Sequence, residues 1–287
     1  MEVNFKNLRV PADYPTYPPY HKGDYLEEYF YKFYKKNKEE FDETDYTYIP
    51  VFWTNVYLTG KNGDLLQPYL NYLPKGKKYF TVSQHDDAVK EKLPDNTISF
   101  EAGGNGGGVP IPLICSPIDN KLIKEVKKDI LCSFVGSISN NASSRVILYQ
   151  TYMNDKEFYF NKPRNWTAHV PENNLKEFID ITQRSEFSLC PRGYGKQSFR
   201  FYEVMQLNSI PVFVYNGDWF PFNKFIDWNE FSVLIHEDKI STLKDKLKSY
   251  TSEEKNKMLK KGKEIYNEYF TMEGMSKNIL RYLKNEK

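Results

Sequence analysis

Between Cys190 and Glu203 the chain reads Cys-Pro-Arg-Gly-Tyr-Gly-Lys-Gln-Ser-Phe-Arg-Phe-Tyr-Glu, which sets Arg192, Lys196 and Arg200 beside Gly193, Gly195 and the hydroxyl of Ser198. The run "EFSLC" before it reads as a strand and "SFRFYEVMQLN" as a helix, so the basic, glycine-bearing stretch joins a strand's end to a helix's start. Free N–H groups at a helix start bind anions, and glycine lets the backbone approach them closely. A phosphate-bearing ligand suits that chemistry. A plain capped turn suits it too, with the glycines turning the chain, Ser198 capping the helix and Arg200 pairing with Glu203 three residues on. The stretch contains neither the Gly-x4-Gly-Lys-Ser/Thr phosphate loop nor the Gly-x-Gly-x-x-Gly dinucleotide fingerprint. A second loop of this kind follows Gly136, where "ILCSFVGSI" ends and "SSRVILYQTYMND" begins as a helix capped by Ser143 or Ser144.

These loops need strands and helices to hold them. From residue 130 onward the chain alternates "ILCSFVGSI", the helix at Ser143, "EFYF", the helix "NLKEFIDITQRS", "EFSLC", the helix after Ser198, "SIPVFVY" and "FSVLI". Short strands alternating with helices predict an α/β fold with a parallel sheet covered on both faces. Ligands bind such sheets beyond the carboxyl ends of the strands, which selects the loops after Gly136 and Cys190. From about Ile240 the chain is helical. The first half is less regular. Prolines 11, 15, 18 and 19 predict an extended arm, and aromatics on a helical period predict a helix over 24–38. "DYTYIPVFWTNVYL" reads as a strand and a loop, "KKYFTVSQHDDAV" as a second strand, "TISFEA" as a third, and "VPIPLIC" as a fourth after the loop "GGNGGG".

Composition bounds the partners. The chain has 287 residues and a formal net charge of +2, which provides no field for nucleic acid. Its 23 Tyr and 20 Phe supply both core and sugar- or base-stacking surfaces. Cys115, Cys132 and Cys190 are far apart and lack zinc-site spacing, so they read as reduced core thiols. "MEVNFKNLRV" lacks a signal peptide's apolar stretch, and no membrane span is present, so a soluble, cytoplasmic location is expected. The Asn-x-Ser/Thr matches at Asn141 and Asn165 carry little weight without a secretory signal.

Five elements in order carry a family resemblance: Cys190-Pro191-Arg192-Gly193, Ser198-x-Arg200-x-x-Glu203, Ile210-Pro211-Val212, Pro221-Phe222 and Trp228-x-x-Phe231. Together they resemble the core of the exostosin-like glycosyltransferases, glycosyltransferase family 47. Upstream echoes include "YTYIPVFWTNVYL", "HDDA", "VPIPL" and "SFVGSI" followed by Arg145, so the resemblance covers roughly residues 25–270 and is firm over 131–237. It implies a GT-B arrangement of two Rossmann-like domains facing across a cleft. The boundary is expected near residue 125, with an acceptor-side domain over 1–125, a donor domain over 126–287 and the last helices able to pack back on the first. The implied reaction moves a sugar from a nucleotide diphosphate donor, UDP-linked in most of the family, to a glycan hydroxyl with inversion. The partners implied are a nucleotide sugar and an oligosaccharide or glycoprotein glycan, and UDP-xylose is the preferred donor. The family's well-known members are anchored Golgi proteins, and this chain shows no such anchor.

The resemblance assigns roles. The leaving diphosphate needs a metal or fixed donors. No two aspartates are separated by one residue, so the metal-binding Asp-x-Asp pair is missing and a metal-independent site without further cofactor is expected. Arg200, Ser198 and the helix N-terminus would meet the diphosphate, with Arg145 and Arg192 assisting. Glu203 would accept from the ribose hydroxyls, Gly136, Ser137 and Gly193 would let the backbone approach the donor, and Tyr194 would line the pocket. Inversion also requires a general base on the first domain, for which Asp86 and His85 come first, then Asp87, with Asp64, Glu101 and Asp218 in reserve. Each also fits an ordinary structural role as a loop histidine or a helix cap. A catalytically silent nucleotide-sugar or glycan-binding module of the same fold is the alternative. A glycoside hydrolase, which needs two carboxylates flanking one bond, fits the basic cluster less well.

Overall fold

The computed structural model describes residues 4–9, 24–87, 89–114, 117–138, 143–161 and 170–286. The proline-rich arm, Cys115, both Asn-x-Ser/Thr sites and the side chain of Ser143 lie outside the described residues. Two compact units divide the chain at Ile114, against the expected boundary near 125. One holds the described residues up to Ile114 together with those from Tyr269, and the other holds 117–268.

The first unit is built on a four-stranded parallel sheet in the order β1 (Tyr46–Tyr48), β2 (Lys78–Ser83), β3 (Thr97–Glu101) and β4 (Val109–Pro110). Its helices are α1 (Leu26–Lys36), α2 (Lys38–Asp42), α3 (Trp53–Thr59) and α4 (Leu66–Asn71), joined by the C-terminal helix Met272–Asn285. Successive residues of β2 face opposite sides, as strand geometry requires. Tyr79 packs with Trp53, Val56, Leu66 and Leu70. Phe80 lies among the rings of Phe30, Phe41, Tyr48 and Phe100, and Phe100 meets Tyr282 of the C-terminal helix edge-on at 5.4 Å. Helix α1 forms because Leu26 and Phe30 share its buried face, while Glu27 and Glu28 in the first turn and Lys35 and Lys36 in the last complement its dipole.

Two expectations for this unit are corrected. The loop expected after β1 is helix α3. Gly60 stops it in the left-handed conformation at φ 68°, with its N–H on the carbonyl of Val56 at 2.8 Å. Its start is held from outside, since the buried carboxylate of Glu27 accepts from the Thr54 N–H at 2.9 Å and from the Thr54 hydroxyl at 2.7 Å. The strand expected over "VPIPLIC" pairs only at Val109–Pro110, because Pro110 and Pro112 remove two ladder donors.

The second unit carries a five-stranded, wholly parallel sheet. Its strands are β5 (Ile130–Phe134), β6 (Phe158–Phe160), β7 (Ser185–Pro191), β8 (Ile210–Tyr215) and β9 (Val233–His236), in the order β6-β5-β7-β8-β9. The helices are α5 (Ser143–Tyr152), α6 (Glu172–Arg184), α7 (Phe199–Gln206), α8 (Leu243–Lys248) and α9 (Ser252–Tyr269). Adjacent residues Phe134 and Val135 enter different cores. Phe134 joins Leu148, Leu189, Val212, Leu243 and Met258, whereas Val135 joins Phe178, Ile181 and Leu207, so helices cover both faces. Ser144 is a buried residue inside α5 rather than its cap. The chain runs from β5 out to β6 on one side and then to β7 on the other. This reversal is the topological switch point, and it falls between β5 and β7.

Candidate functional site

The two expected loops emerge on either side of the reversal, beyond the carboxyl ends of β5 and β7. Arg145 ties them together. Its side chain is buried, and Nη1 donates to the Ser137 carbonyl at 2.8 Å while Nε donates to the Arg192 carbonyl at 2.9 Å. Its guanidinium also stands 5.7 Å from the centre of the Phe134 ring. A planar guanidinium spreads its N–H groups in a fixed fork, so one side chain can hold two separate backbones in register. Arg145, expected on the diphosphate, is thus committed to the loop carbonyls. Gly136 is oriented from the next strand, its N–H donating to Oδ1 of the buried Asn161 at 2.7 Å. Asn161 went unrecognised in the sequence, where its only signal is a polar side chain directly after the apolar run of β6.

The loop after β7 closes with Gly193 N–H on the Gln197 carbonyl at 3.0 Å. Arg192 folds over it, donating from Nη2 to the Tyr194 carbonyl at 2.9 Å and from Nη1 to Asn216 Oδ1 at 3.0 Å. The Tyr194 side chain is half exposed. Ser198 takes the N-cap position of α7, extended at φ −142°, and its Oγ accepts from the Arg200 N–H at 3.3 Å. Arg200 Nη1 in turn donates to Glu203 Oε2 at 2.8 Å, and its guanidinium lies 3.6 Å from the centre of the Phe178 ring on α6. Burial pushes the Cys190 thiol up, although the charges of Arg200 and Arg145 oppose that shift. Cys132 and Cys190 are both buried and free.

In the first unit His85, Asp86 and Asp87 follow β2 directly. The Asp87 N–H donates to His85 Nδ1 at 3.1 Å. Burial lowers the His85 pKa, so the ring is neutral near pH 7. With Nδ1 accepting, the ring carries its proton on Nε2 and presents a donor there rather than a base. Asp87 is engaged by the Asn105 amide at 3.0 Å and by Lys90 at 3.6 Å. Asp86 packs against the glycine-rich loop. A Cβ on Gly103 would stand 2.2 Å from Asp86 Cα, and Asn105 N–H reaches the Asp86 carbonyl at 3.0 Å. Of the reserve carboxylates, Asp64 sits in a 3-10 turn, Asp218 is exposed, and Glu101 is buried at the end of β3, where the Ser99 hydroxyl donates to it at 2.8 Å. Glu101 and Ser99 line a cleft of about 450 Å³ with Glu91 and Gly106–Gly108.

Among the described residues no three His, Cys, Asp or Glu side chains converge to hold a metal ion, and no helix is long and apolar enough to cross a membrane.

Basic residues, glycines and a capped helix start at the switch point of a parallel unit are the features from which α/β domains build anion sites. More narrowly, the chain belongs to the exostosin family, the one its core residues resemble: the Exostosin GT47 domain matches residues 92–250, more than half of the chain. Exostosin-1b of Danio rerio is 30% identical over a stretch that covers 38% of this chain and 18% of that protein. Ribitol-5-phosphate xylosyltransferase 1 of Homo sapiens is 30% identical over 30% of this chain and 20% of its own length. The matched stretch therefore spans about a fifth of either relative's length. Among solved structures, the pneumococcal O-GlcNAc transferase GtfA in complex with UDP and GlcNAc aligns with a TM-score of 0.42 at 11% identity, covering 79% of this chain and 48% of that one.

Proposed function

We propose that this protein is an inverting glycosyltransferase that moves a sugar from a UDP-sugar to a glycan hydroxyl, with its two units acting as the halves of a GT-B enzyme. The observation that carries the reading is the joining of the β5 and β7 loops by Arg145 at the switch point, directly before the capped start of α7. There the diphosphate meets the N-terminus of α7 and the basic side chains of the loop, which offset the charge that accumulates on it as the glycosidic bond to phosphate breaks. Glu203 turns to the ribose hydroxyls. Asp86 takes the proton of the acceptor hydroxyl as its oxygen bonds to the anomeric carbon. Fixed donors replace a metal in this scheme, and transfer should persist in EDTA. The name of the human xylosyltransferase relative supports xylose as the sugar.

A thermal-shift panel of UDP, GDP, UDP-xylose and other UDP-sugars tests the donor assignment, since a ligand that binds only the folded chain raises its melting temperature. UDP should shift the protein, and stabilisation by GDP alone would remove the donor assignment. Hydrolysis of UDP-xylose, lost in Arg200→Ala and Glu203→Ala, would support turnover. The second reading, a silent nucleotide-sugar-binding module, draws on the mutual satisfaction of Arg200 and Glu203, and binding without turnover of any donor would favour it.

A further inference from the structure

The cations of the β7–α7 loop and its surroundings are not equally available. Arg145 is spent on the Ser137 and Arg192 carbonyls, Arg192 on Asn216 and the Tyr194 carbonyl, and Arg200 on Glu203 and the Phe178 ring. Lys196 differs. Its ammonium makes no hydrogen bond or ion pair among the described residues and rests 4.6 Å from the centre of the Trp219 ring. Trp219 belongs to the segment after β8, is 4% exposed, and has a buried indole N–H with no acceptor among the described residues. A lysine on an aromatic face keeps its charge but gains less than from a charge-assisted hydrogen bond to phosphate. Its four-carbon stem lets the ammonium swing at little cost, which the planar, stacked Arg200 cannot do.

We propose that Lys196 is the mobile cation of this site: its ammonium leaves the Trp219 ring when a nucleoside diphosphate enters and donates to the phosphate oxygens, uncovering the Trp219 indole. The proposal rests on the donor reading above, and it assigns the first contact with the leaving group to a side chain that waits on an aromatic face. No bond is made or broken in this step. Lys196 thereby serves affinity for the diphosphate, while the nucleoside is held by other groups.

Calorimetric titration of UDP, uridine and inorganic pyrophosphate into wild type and Lys196→Gln tests it, together with tryptophan emission. The variant should bind UDP and pyrophosphate about tenfold more weakly, the loss of one charge-assisted contact, while uridine changes by less than about twofold. Tryptophan emission should change on adding UDP to wild type, and Trp219→Phe should abolish that change while still binding UDP. If UDP binds wild type and Lys196→Gln equally, or if the emission change survives in Trp219→Phe, the role of Lys196 is overturned and the donor reading stands. If folded wild type binds no UDP, the donor reading falls and the role of Lys196 falls with it.

Discussion

Arg200 and Glu203, three residues apart on α7, are hydrogen-bonded at 2.8 Å with side chains only 18% and 15% exposed, so the residues proposed to meet diphosphate and ribose are each other's partner in the unliganded chain. A pair shielded to this degree holds both side chains in place on the first turns of α7. A nucleotide that took over either partner would have to supply a contact at least as good.

Breaking the pair from one side leaves a partly desolvated charge behind. Glu203→Gln is expected to cost about 1–3 kcal/mol of stability, read by urea unfolding, because the Arg200 charge loses its counter-ion. If Glu203 also holds the ribose, the same variant binds UDP at least about tenfold more weakly, yet binds pyrophosphate as wild type does.

Arg145 is expected to act through geometry. Arg145→Lys keeps the charge but loses the fork that spans the Ser137 and Arg192 carbonyls. Two partly buried acceptors lose their donors, and unfolding free energy should fall by about 1–3 kcal/mol. A variant as stable as wild type would show that the two loops hold their register without it.

The base assignment separates three neighbours. Asp86→Asn should lower sugar transfer by roughly 10²- to 10⁴-fold while leaving UDP affinity unchanged. Asp87→Asn and His85→Asn should lower it much less, and equal losses across the three, compared by steady-state kinetics, would remove Asp86 from the role. Gly103→Ala is a structural control, because its Cβ would meet the Asp86 backbone at 2.2 Å and should cost about 1–3 kcal/mol.

Glu27 gives the fold a pH dependence. Burial raises its pKa above the ordinary 4.5, although hydrogen bonds from Thr54 and Gln84 oppose that shift. Above 4.5 the folded chain keeps a proton that the unfolded chain has lost. The contribution of Glu27 is therefore fully present below the unfolded value and is lost as pH rises through the folded one. Glu27→Gln cannot titrate, so the stability of wild type minus that of the variant should fall in urea unfolding as pH rises above 4.5. A flat difference would mean that Glu27 titrates alike in both states.

The strands of the second unit were legible because they are continuous apolar runs, the pattern of a sheet buried on both faces. The loops proposed for the donor were legible because glycine, serine and arginine cluster where two such runs end, after Phe134 and after Cys190. Helix α3 was not legible. Its sequence "WTNVYLT" has strand-forming residues, and what makes it helical is the Glu27 carboxylate of α1, distant in sequence, on its first turn. Local propensity cannot report a cap supplied from elsewhere in the chain.

The same division runs through the site. Residue types and spacing determined the parallel α/β character of the second half, and motif resemblance pointed to the family and to the stretch from Cys190 to Glu203 as the candidate site, since periodicity and motif are local properties of a chain. Tertiary structure alone decided which cations of that stretch, and of α5 beside it, are committed. Arg145 binds carbonyls from two loops, Arg200 stacks on a ring from α6, and Lys196 rests on a tryptophan from beyond β8. A charge is counted in the sequence, but its availability depends on partners that only folding brings within a few ångströms.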